Sequence, residues 1–441
     1  MQDTNIRATY GVRRRLAHKT PFFYGWIMVM GAFMGTFAGG GLQSFTFGVF
    51  IPAMSSSLGW SVGALTGALA VRTAFAAMLG PVFGPLVDKY GPRFLMVASA
   101  ITGGIATILL TQVQEIWQFY LIFAMVGIAG AAGIGGVVSQ ATVSKWFIRL
   151  RGRATAFSTM GNTAAGAMLA PFVGFIMAAY GWQAGWIAMS VIFLGLMLPV
   201  AFFMVRQPED VGLLPDGARS EEEVQETYRR RGGRESAYSW RLREALHTRA
   251  LWFLTIALIV GGISVSSVVV HEFNYVISQG FSTGVAATVL STHAISASLA
   301  RLLWGFLVER FHVRYCLTAL FIGCTVGLGI LLIADSAPML FLFAFVYGIN
   351  VGGNAVLSNI AWANYFGRDF VGTIRGALNP FTMGAVAAGP VLVGVSFNIT
   401  GEYRSAFLVL LVLFVVAASV AILAVPPKAP VSNPSAPAQS G

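Results

Sequence analysis

A lone arginine, Arg301, interrupts the apolar stretch ISASLARLLWGFLVER, and its nearest charged neighbours are Glu309 and Arg310. On a helix, the nine-residue step from Arg301 to Arg310 rises on the order of 13 Å, so the guanidinium lies deep inside an apolar segment. An arginine keeps its charge at that depth, and its planar fork suits a carboxylate. The pattern favours a carboxylate-binding cation. The alternative is a structural arginine bonded to backbone carbonyls.

Four further ionisable side chains in apolar stretches are candidates for proton coupling, substrate contact or gating. His293 lies eight residues before Arg301 and titrates near neutrality, so it either relays protons and contacts substrate or bonds two helices together. Glu272 is the one carboxylate clearly inside an apolar stretch, so Glu272 and its neighbour His271 are proton-coupling candidates; otherwise Glu272 is an outer-gate contact. Arg72 is expected to pair with Glu272 as a gating contact or to contact an anion directly.

A polar stripe recurs every four residues at Asn350, Asn354 and Ser358. Each step turns only about 40° around a helix, so the stripe faces a cavity or another helix, and both asparagines are substrate-binding candidates. The sequence contains no nucleophile–base pair, metal-ligand spacing or G-x-x-x-x-G-K-[ST] loop. It therefore predicts neither an enzyme nor an ATP-driven pump, and no cofactor or metal.

Composition places these residues in a membrane. The 441-residue chain is 56% hydrophobic and 10% charged, whereas soluble domains carry about 25% charged residues. Apolar stretches of about 20 residues are long enough to cross a bilayer as helices. The first 23 residues lack the pattern of a cleaved signal peptide. The sequence predicts an all-α polytopic membrane protein with twelve transmembrane helices, near residues 24–50, 61–86, 93–112, 117–145, 152–179, 183–205, 250–277, 283–308, 314–334, 338–364, 372–398 and 403–425.

The net charge of +11 reports topology. Of the 28 Lys and Arg residues, Arg404 falls in an outward loop and Arg72 and Arg301 fall within spans, which leaves 25 on the side holding both termini. Basic residues concentrate in cytoplasmic loops, so both termini are expected in the cytoplasm and the chain in the cell membrane. Lipid is therefore the expected environment, and nucleic acid is not an expected partner.

Two halves repeat one plan. The segment GPLVDKYGPRF at 84–94 recurs as GFLVERFHVRY at 305–315, an offset of 221 residues. Such repeats predict two pseudo-symmetric six-helix bundles related by an axis along the membrane normal. The predicted units are an N-terminal tail at 1–23, a first bundle at 24–205, a cytoplasmic linker at 206–249, a second bundle at 250–425 and a C-terminal tail at 426–441.

The segment GPLVDKYGPR resembles the loop between the second and third helices of the major facilitator superfamily, with matches at Gly84, Asp88, Gly91 and Arg93. The small Gly84 permits close helix approach, and Asp88 can accept from a neighbouring helix cap or from basic side chains. The resemblance implies that these loops, with Glu309 in the second copy, gate conformational change and stabilise the outward-facing state. The gating candidates are Gly84, Asp88, Arg93, Glu309 and Arg72.

A narrower resemblance covers most of the chain. Four segments are similar to the monocarboxylate transporter branch and the related oxalate/formate exchangers: PFFYGW at 21–26, KWFIRLRGRATAF at 145–157, YGWQAGW at 180–186 and the span-8 stretch at 280–311. The resemblance implies secondary active transport of a small organic anion, a lactate- or pyruvate-like monocarboxylate, by alternating access, with Arg301 as the carboxylate anchor. The alternatives are a dicarboxylate/monocarboxylate exchanger and another exporter of the superfamily.

Two positions depart from the proton-linked members of that branch. Where those members carry an aspartate one turn before the arginine, this chain has Ala297, and where they carry a lysine near the end of span 1, it has Gln43. The amide of Gln43 can hydrogen-bond an anion but cannot carry a proton, so it remains a substrate-binding candidate only. The sequence therefore leaves symport and antiport open, with protons or a counter-anion as the coupled species.

Overall fold

The computed structural model describes residues 11–41, 44–133, 137–230 and 236–428, and within these ranges every regular element is a helix. In chain order the helices are α1 Gly11–Lys19, α2 Gly25–Gly41, α3 Ser44–Leu58, α4 Val62–Met78, α5 Gly80–Tyr90, α6 Pro92–Leu109, α7 Ile116–Ala132, α8 Val137–Trp146, α9 Arg151–Tyr180, α10 Trp182–Phe203, α11 Glu221–Arg230, α12 Leu242–Leu246, α13 Arg249–Ser278, α14 Thr283–Arg310, α15 Val313–Ile333, α16 Ala337–Phe366, α17 Val371–Thr400 and α18 Arg404–Leu423. Short 3-10 turns cover Leu110–Gln112, Pro208–Val211 and Pro215–Gly217.

Ten helical segments of the described chain are long and apolar enough to cross a membrane, and α4 with α5 makes an eleventh. This pair bends by 49° between Met78 and Gly80, where Pro81 supplies no N–H to the helical ladder. The shorter apolar helices α2 and α3 occupy the place of the predicted first span. The all-helical, polytopic architecture agrees with the sequence prediction.

The signature loop owes its shape to one glycine. Gly91 has φ of 79°, which favours glycine, and it ends α5 while Pro92 begins α6 at a position that tolerates a missing N–H. In the second copy the corresponding turn passes through Phe311 and His312 with negative φ angles of −114° and −66°. The repeat therefore preserves the helix ends without requiring a second glycine.

The buried apolar side chains form two clusters that follow the two halves. The first is built around residues such as Phe123 and Trp186, and the second around residues such as Tyr347 and Phe414. A few first-half residues, including Val87 and Ala156, join the second cluster where the halves meet. Each half thus has its own core, and the contact between the halves is a separate feature.

The halves meet through two pairs of helices that the repeat relates to each other. A Cβ atom on Gly84 of α5 would collide with the Gly372 carbonyl oxygen of α17, and one on Gly152 of α9 would collide with the Gly305 carbonyl of α14. Gly84 and Gly305 are the same position of the repeat, 221 residues apart. The sequence repeat therefore produces the same close helix contact twice, once on each side of the molecule.

The 206–249 segment is tied to both halves at one end of the bundle. The Asp216 carboxylate accepts hydrogen bonds from the backbone N–H groups of Ile148, Arg149 and Leu150 at 2.9, 2.6 and 3.2 Å. Backbone N–H groups of Ser236 and Trp240 donate to carbonyls at the end of α16. We call this end of the molecule the linker face.

Candidate functional site

The Arg301 guanidinium lies where α14 of the second half meets α9 of the first. Its Nη1 donates to the backbone carbonyl of Thr159 at 2.5 Å, while its Nε is buried without a hydrogen-bond partner. None of the described carboxylates forms an ion pair with it. The fork therefore retains hydrogen-bonding capacity that a ligand carboxylate could use, because one carbonyl satisfies only part of its five-donor set.

A cavity of about 100 Å³ lies between α13, α16 and α17 of the second half. Its polar lining consists of Asn354, Ser358, Arg375, Asn379 and Thr382. These groups are amides, hydroxyls and a guanidinium, which together can donate hydrogen bonds to an oxyanion. Leu258, Trp362 and other apolar side chains complete the walls.

One wall of this cavity is fixed by a proline. Pro390 of α17 has no N–H, so the Val386 carbonyl one turn earlier lacks its usual helical donor. The Ser266 hydroxyl of α13 donates to that carbonyl at 2.7 Å. The bond joins α13 to α17 beside the cavity, since Val386 itself contributes to the lining.

Arg375 is a cavity residue that the sequence reasoning missed. The charge count grouped it with basic residues of the loops, although it falls inside the predicted eleventh span, and that count is corrected here. The structure places Arg375 one turn into α17, facing the cavity. The signal that identifies Arg301, an isolated arginine within an apolar span, would have found it.

The asparagine stripe divides between two neighbours. The Asn350 amide donates to the Val346 carbonyl at 2.7 Å and packs against Gly323 of α15, where a Cβ atom would overlap it. Asn354 and Ser358 face the cavity. The drift of about 40° per step turns Asn350 away from the other two. Asn350 therefore does not line this site, contrary to expectation, and Asn354 remains the candidate.

Glu272 and His293 form a buried pair inside the second half. The His293 Nδ1 lies 2.8 Å from both carboxylate oxygens of Glu272, and the two residues are only 4% and 1% exposed. The imidazole packs edge-on against Tyr347. The expectation that Arg72 pairs with Glu272 is therefore wrong, because His293 already occupies that carboxylate. Arg72 instead extends beside Gly130 of α7, and its buried Nε has no partner.

His271 joins two helices. Its Nε2 lies 2.9 Å from the Pro390 carbonyl, and a carbonyl only accepts, so Nε2 carries the proton. The ring also lies against Tyr403. His271 is thus adjacent to Glu272 in sequence, but its hydrogen bond is made with α17.

Two carboxylates cap helices of the opposite half at the linker face. Asp88 accepts from the backbone N–H groups of Gly372 and Thr373 at 3.2 and 2.6 Å, from the Thr373 hydroxyl at 2.8 Å, and from Lys145 Nζ at 2.8 Å. Glu309 accepts from the Arg153 backbone N–H at 2.9 Å and side-chain Nε at 3.0 Å. Anionic groups stabilise helix N-termini, here those of α17 and α9.

These two capping sites are copies of one arrangement, since Asp88 and Glu309 are 221 residues apart. Arg151 Nη1 adds a third link between the halves, to Asn364 Oδ1 at 2.6 Å. Arg93 takes no part in either cap; its guanidinium lies 5.7 Å from the Phe202 ring centroid within the first half. The described hydrogen bonds between the halves all lie between the linker face and the level of Arg301. We call them the linker-face seal.

Two remaining expectations concern Gln43 and metals. Gln43 lies outside the described residues. Within the described ranges, no group of three or more His, Cys, Asp or Glu side chains is arranged to hold a metal ion. The site is therefore described by Arg301, by the cavity beside it and by the seal that closes beneath both.

Comparison with known proteins identifies the family. The sequence profile of the Major Facilitator Superfamily matches residues 25–291 and 273–440, and the chain belongs to this superfamily. It is 24% identical to the MFS transporter asaE of Aspergillus flavus, over 86% of this chain and 81% of that protein. It is 25% identical to Monocarboxylate transporter 2 of Rattus norvegicus, over 74% of this chain and 68% of that one. The resemblance predicted from the motifs is confirmed.

A third relative, the probable sulfoacetate transporter SauU of Cupriavidus necator, is 24% identical over 79% of this chain and 81% of its own length. Among solved structures, the proton:xylose symporter XylE superposes with a TM-score of 0.70 at 12% identity, over 90% of this chain and 94% of that chain. The human organic anion transporter MFSD10 gives 0.64 at 14% identity, over 90% and 98%. These similarities establish the fold of a polytopic membrane transporter, a class whose members are not enzymes.

Proposed function

We propose that this protein is a secondary active transporter of small organic anions, in the first instance monocarboxylates of lactate or pyruvate size. The observation that supports this most directly is the Arg301 fork, which among the described residues is bonded to one backbone carbonyl and to no carboxylate. An unpaired guanidinium between helices is costly. A substrate carboxylate would remove that cost by forming two parallel charge-assisted hydrogen bonds.

Arg301 would also link binding to movement. Its partner Thr159 belongs to the first half, so the bond spans the contact between the halves. A substrate carboxylate competes with the Thr159 carbonyl for the same guanidinium and weakens that contact. The bundles at 24–205 and 250–425 then rock about the site, and the seal at the linker face opens as the opposite side closes.

The basic residues orient this cycle. Cytoplasmic loops carry the excess of Lys and Arg, so the linker face and both termini lie in the cytoplasm and the protein resides in the cell membrane. The structure, with its seal formed by Asp88 and Glu309, then corresponds to the outward-facing side of the cycle. Gly84 and Gly152 contribute by allowing the close approach that the seal requires.

The coupling reaction has two candidates. Glu272 and His293 share a hydrogen bond through which a proton could be held, with His271 beside them, and this supports proton symport. Exchange against a counter-anion is supported by Ala297, whose backbone packs tightly against Gly352 and which carries no titratable group. In the exchange mechanism Arg301 would bind the two anions alternately.

Uptake of labelled pyruvate into proteoliposomes tests the proposal. Arg301→Ala should reduce uptake by at least tenfold, because it removes a charge-assisted pair, and Arg301→Lys should recover part of it by restoring the charge without the fork. Arg404→Gln is the matched control, since Arg404 is exposed at the start of α18. Full transport by Arg301→Ala would contradict the assignment.

The same vesicles separate the two coupling reactions. An imposed pH gradient should drive uptake into vesicles without internal anion if protons are cotransported. Uptake that requires preloaded anion and ignores the pH gradient identifies exchange. Glu272→Gln should abolish the response to the pH gradient under symport and leave exchange unchanged.

A further inference from the structure

Arg375 is a second enclosed guanidinium without a partner among the described residues. It lies in the wall of the cavity between α13, α16 and α17, and no described carboxylate or carbonyl accepts a hydrogen bond from it. Nearby basic residues are already satisfied, Lys145 by Asp88 and Arg151 by Asn364. The linker-face seal therefore does not use Arg375, although Arg375 lies between Thr373 and Gly376, which belong to the contact between the halves.

The other polar groups around Arg375 are neutral and can donate hydrogen bonds. Asn354 and Ser358 approach from α16, and Asn379 and Thr382 from α17. Asn379 Nδ2 makes only long contacts, 3.5 and 3.4 Å, with carbonyls of α4. No carboxylate lines the cavity. This lining is suited to an oxyanion and unsuited to a cation, because the only fixed charge is positive.

Arg375 and Arg301 lie at similar depths on two helices of the same half. Arg301 is nine residues from the linker-face end of α14 and Arg375 is four residues from that end of α17, which corresponds to about 13 Å and about 6 Å. Helix α16 packs against α14 and lines the Arg375 cavity. A monocarboxylate would neutralise one of these two charges, whereas a small dianion would neutralise both.

We propose that the Arg375 cavity is a second oxyanion-binding site, which takes the distal carboxylate or sulfonate group of the transported molecule while Arg301 holds the first. This inference rests on the proposed function, and it narrows the preferred substrates to short dianions such as succinate. Asn354 and Asn379 orient the distal group by donating hydrogen bonds. A monocarboxylate is still transported, but it leaves Arg375 uncompensated.

Competition for labelled pyruvate uptake in proteoliposomes tests the inference, with succinate and butyrate as four-carbon competitors that differ by one carboxylate. In the wild type, succinate should compete at a concentration at least tenfold lower than butyrate. Arg375→Gln should raise the succinate concentration required by about 10- to 100-fold, the range for losing a charge-assisted hydrogen bond, and leave butyrate within about twofold. Arg375→Lys should retain part of the preference, and Arg404→Gln should change neither value.

Two results would overturn the inference. The first is an unchanged succinate-to-butyrate ratio in Arg375→Gln; the second is an equal loss for both competitors, which would make Arg375 structural. Calorimetry addresses a separate anion as occupant: two butyrate molecules bound by the wild type and one by Arg375→Gln, without a succinate advantage, would overturn the dianion assignment. Failure of the proposed function is distinguishable, because neither acid would then compete in the wild type.

Discussion

Replacing Asp88 by asparagine should open the linker-face seal. The Asp88 carboxylate accepts two backbone N–H groups and one hydroxyl from α17 of the opposite half. An asparagine at this position keeps one acceptor oxygen and turns an NH₂ group toward donors, so it loses about two of the three contacts. Hydrogen bonds to charged groups contribute about 1.5–3 kcal/mol each and are not additive, so the closed arrangement loses about 3 kcal/mol.

A loss of about 3 kcal/mol changes the ratio of sealed to open molecules on the order of 100-fold. The Lys145–Asp88 ion pair lies within the first half, so it is present in both arrangements and contributes less to this difference. If the sealed form dominates in the wild type, Asp88→Asn should bring a large fraction of molecules into the open form.

Spin labels on Lys89→Cys and Asp369→Cys measure this change, because both positions are exposed and lie at the linker face on opposite halves. The native cysteines are buried and should not be labelled. Electron–electron distance distributions should show a single short population in the wild type and a substantial longer population in Asp88→Asn. Asp210→Asn is the control, since Asp210 pairs with Arg206 within one segment of the chain. Identical distributions in all three proteins would refute the reasoning.

Three other substitutions should have graded effects. Glu309→Gln should shift the same distance distribution less than tenfold, because its arginine partner is 37% exposed and exposed pairs contribute about 1 kcal/mol or less. Gly152→Val should prevent sealing, since its side chain would collide with the Gly305 carbonyl, and spin-label distances should remain long. Glu272→Leu leaves the buried His293 donor unpaired at a cost of about 1–3 kcal/mol, so the purified protein should unfold at a lower temperature than Glu272→Gln, which keeps an acceptor.

Much of the fold follows from patterns that sequence alone displays. Long apolar stretches specify the helices, and the 221-residue repeat predicts that whatever Asp88 does, Glu309 does in the second half. The structure bears this relationship out, with each carboxylate capping a helix of the other half. The position of Arg301 between the halves follows from the same pattern, because it lies two turns before Glu309.

The remaining features depend on packing between helices, which periodicity does not determine. Glu272 and His293 are on different helices, and their contact requires a particular rotation of α13 against α14. The same holds for Asn350, which turns toward α15 although its stripe continues into the cavity. Arg375 is different: its isolation in a span is visible, but its nearness to a basic loop concealed it.

Direct binding tests the central claim most simply, because it separates recognition of the anion from the movement that follows. Isothermal titration of pyruvate into the purified protein should give measurable binding to the wild type and to Arg404→Gln. Binding to Arg301→Ala should be at least tenfold weaker, with intermediate affinity for Arg301→Lys. Equal affinity of the wild type and Arg301→Ala would contradict the role assigned to this guanidinium.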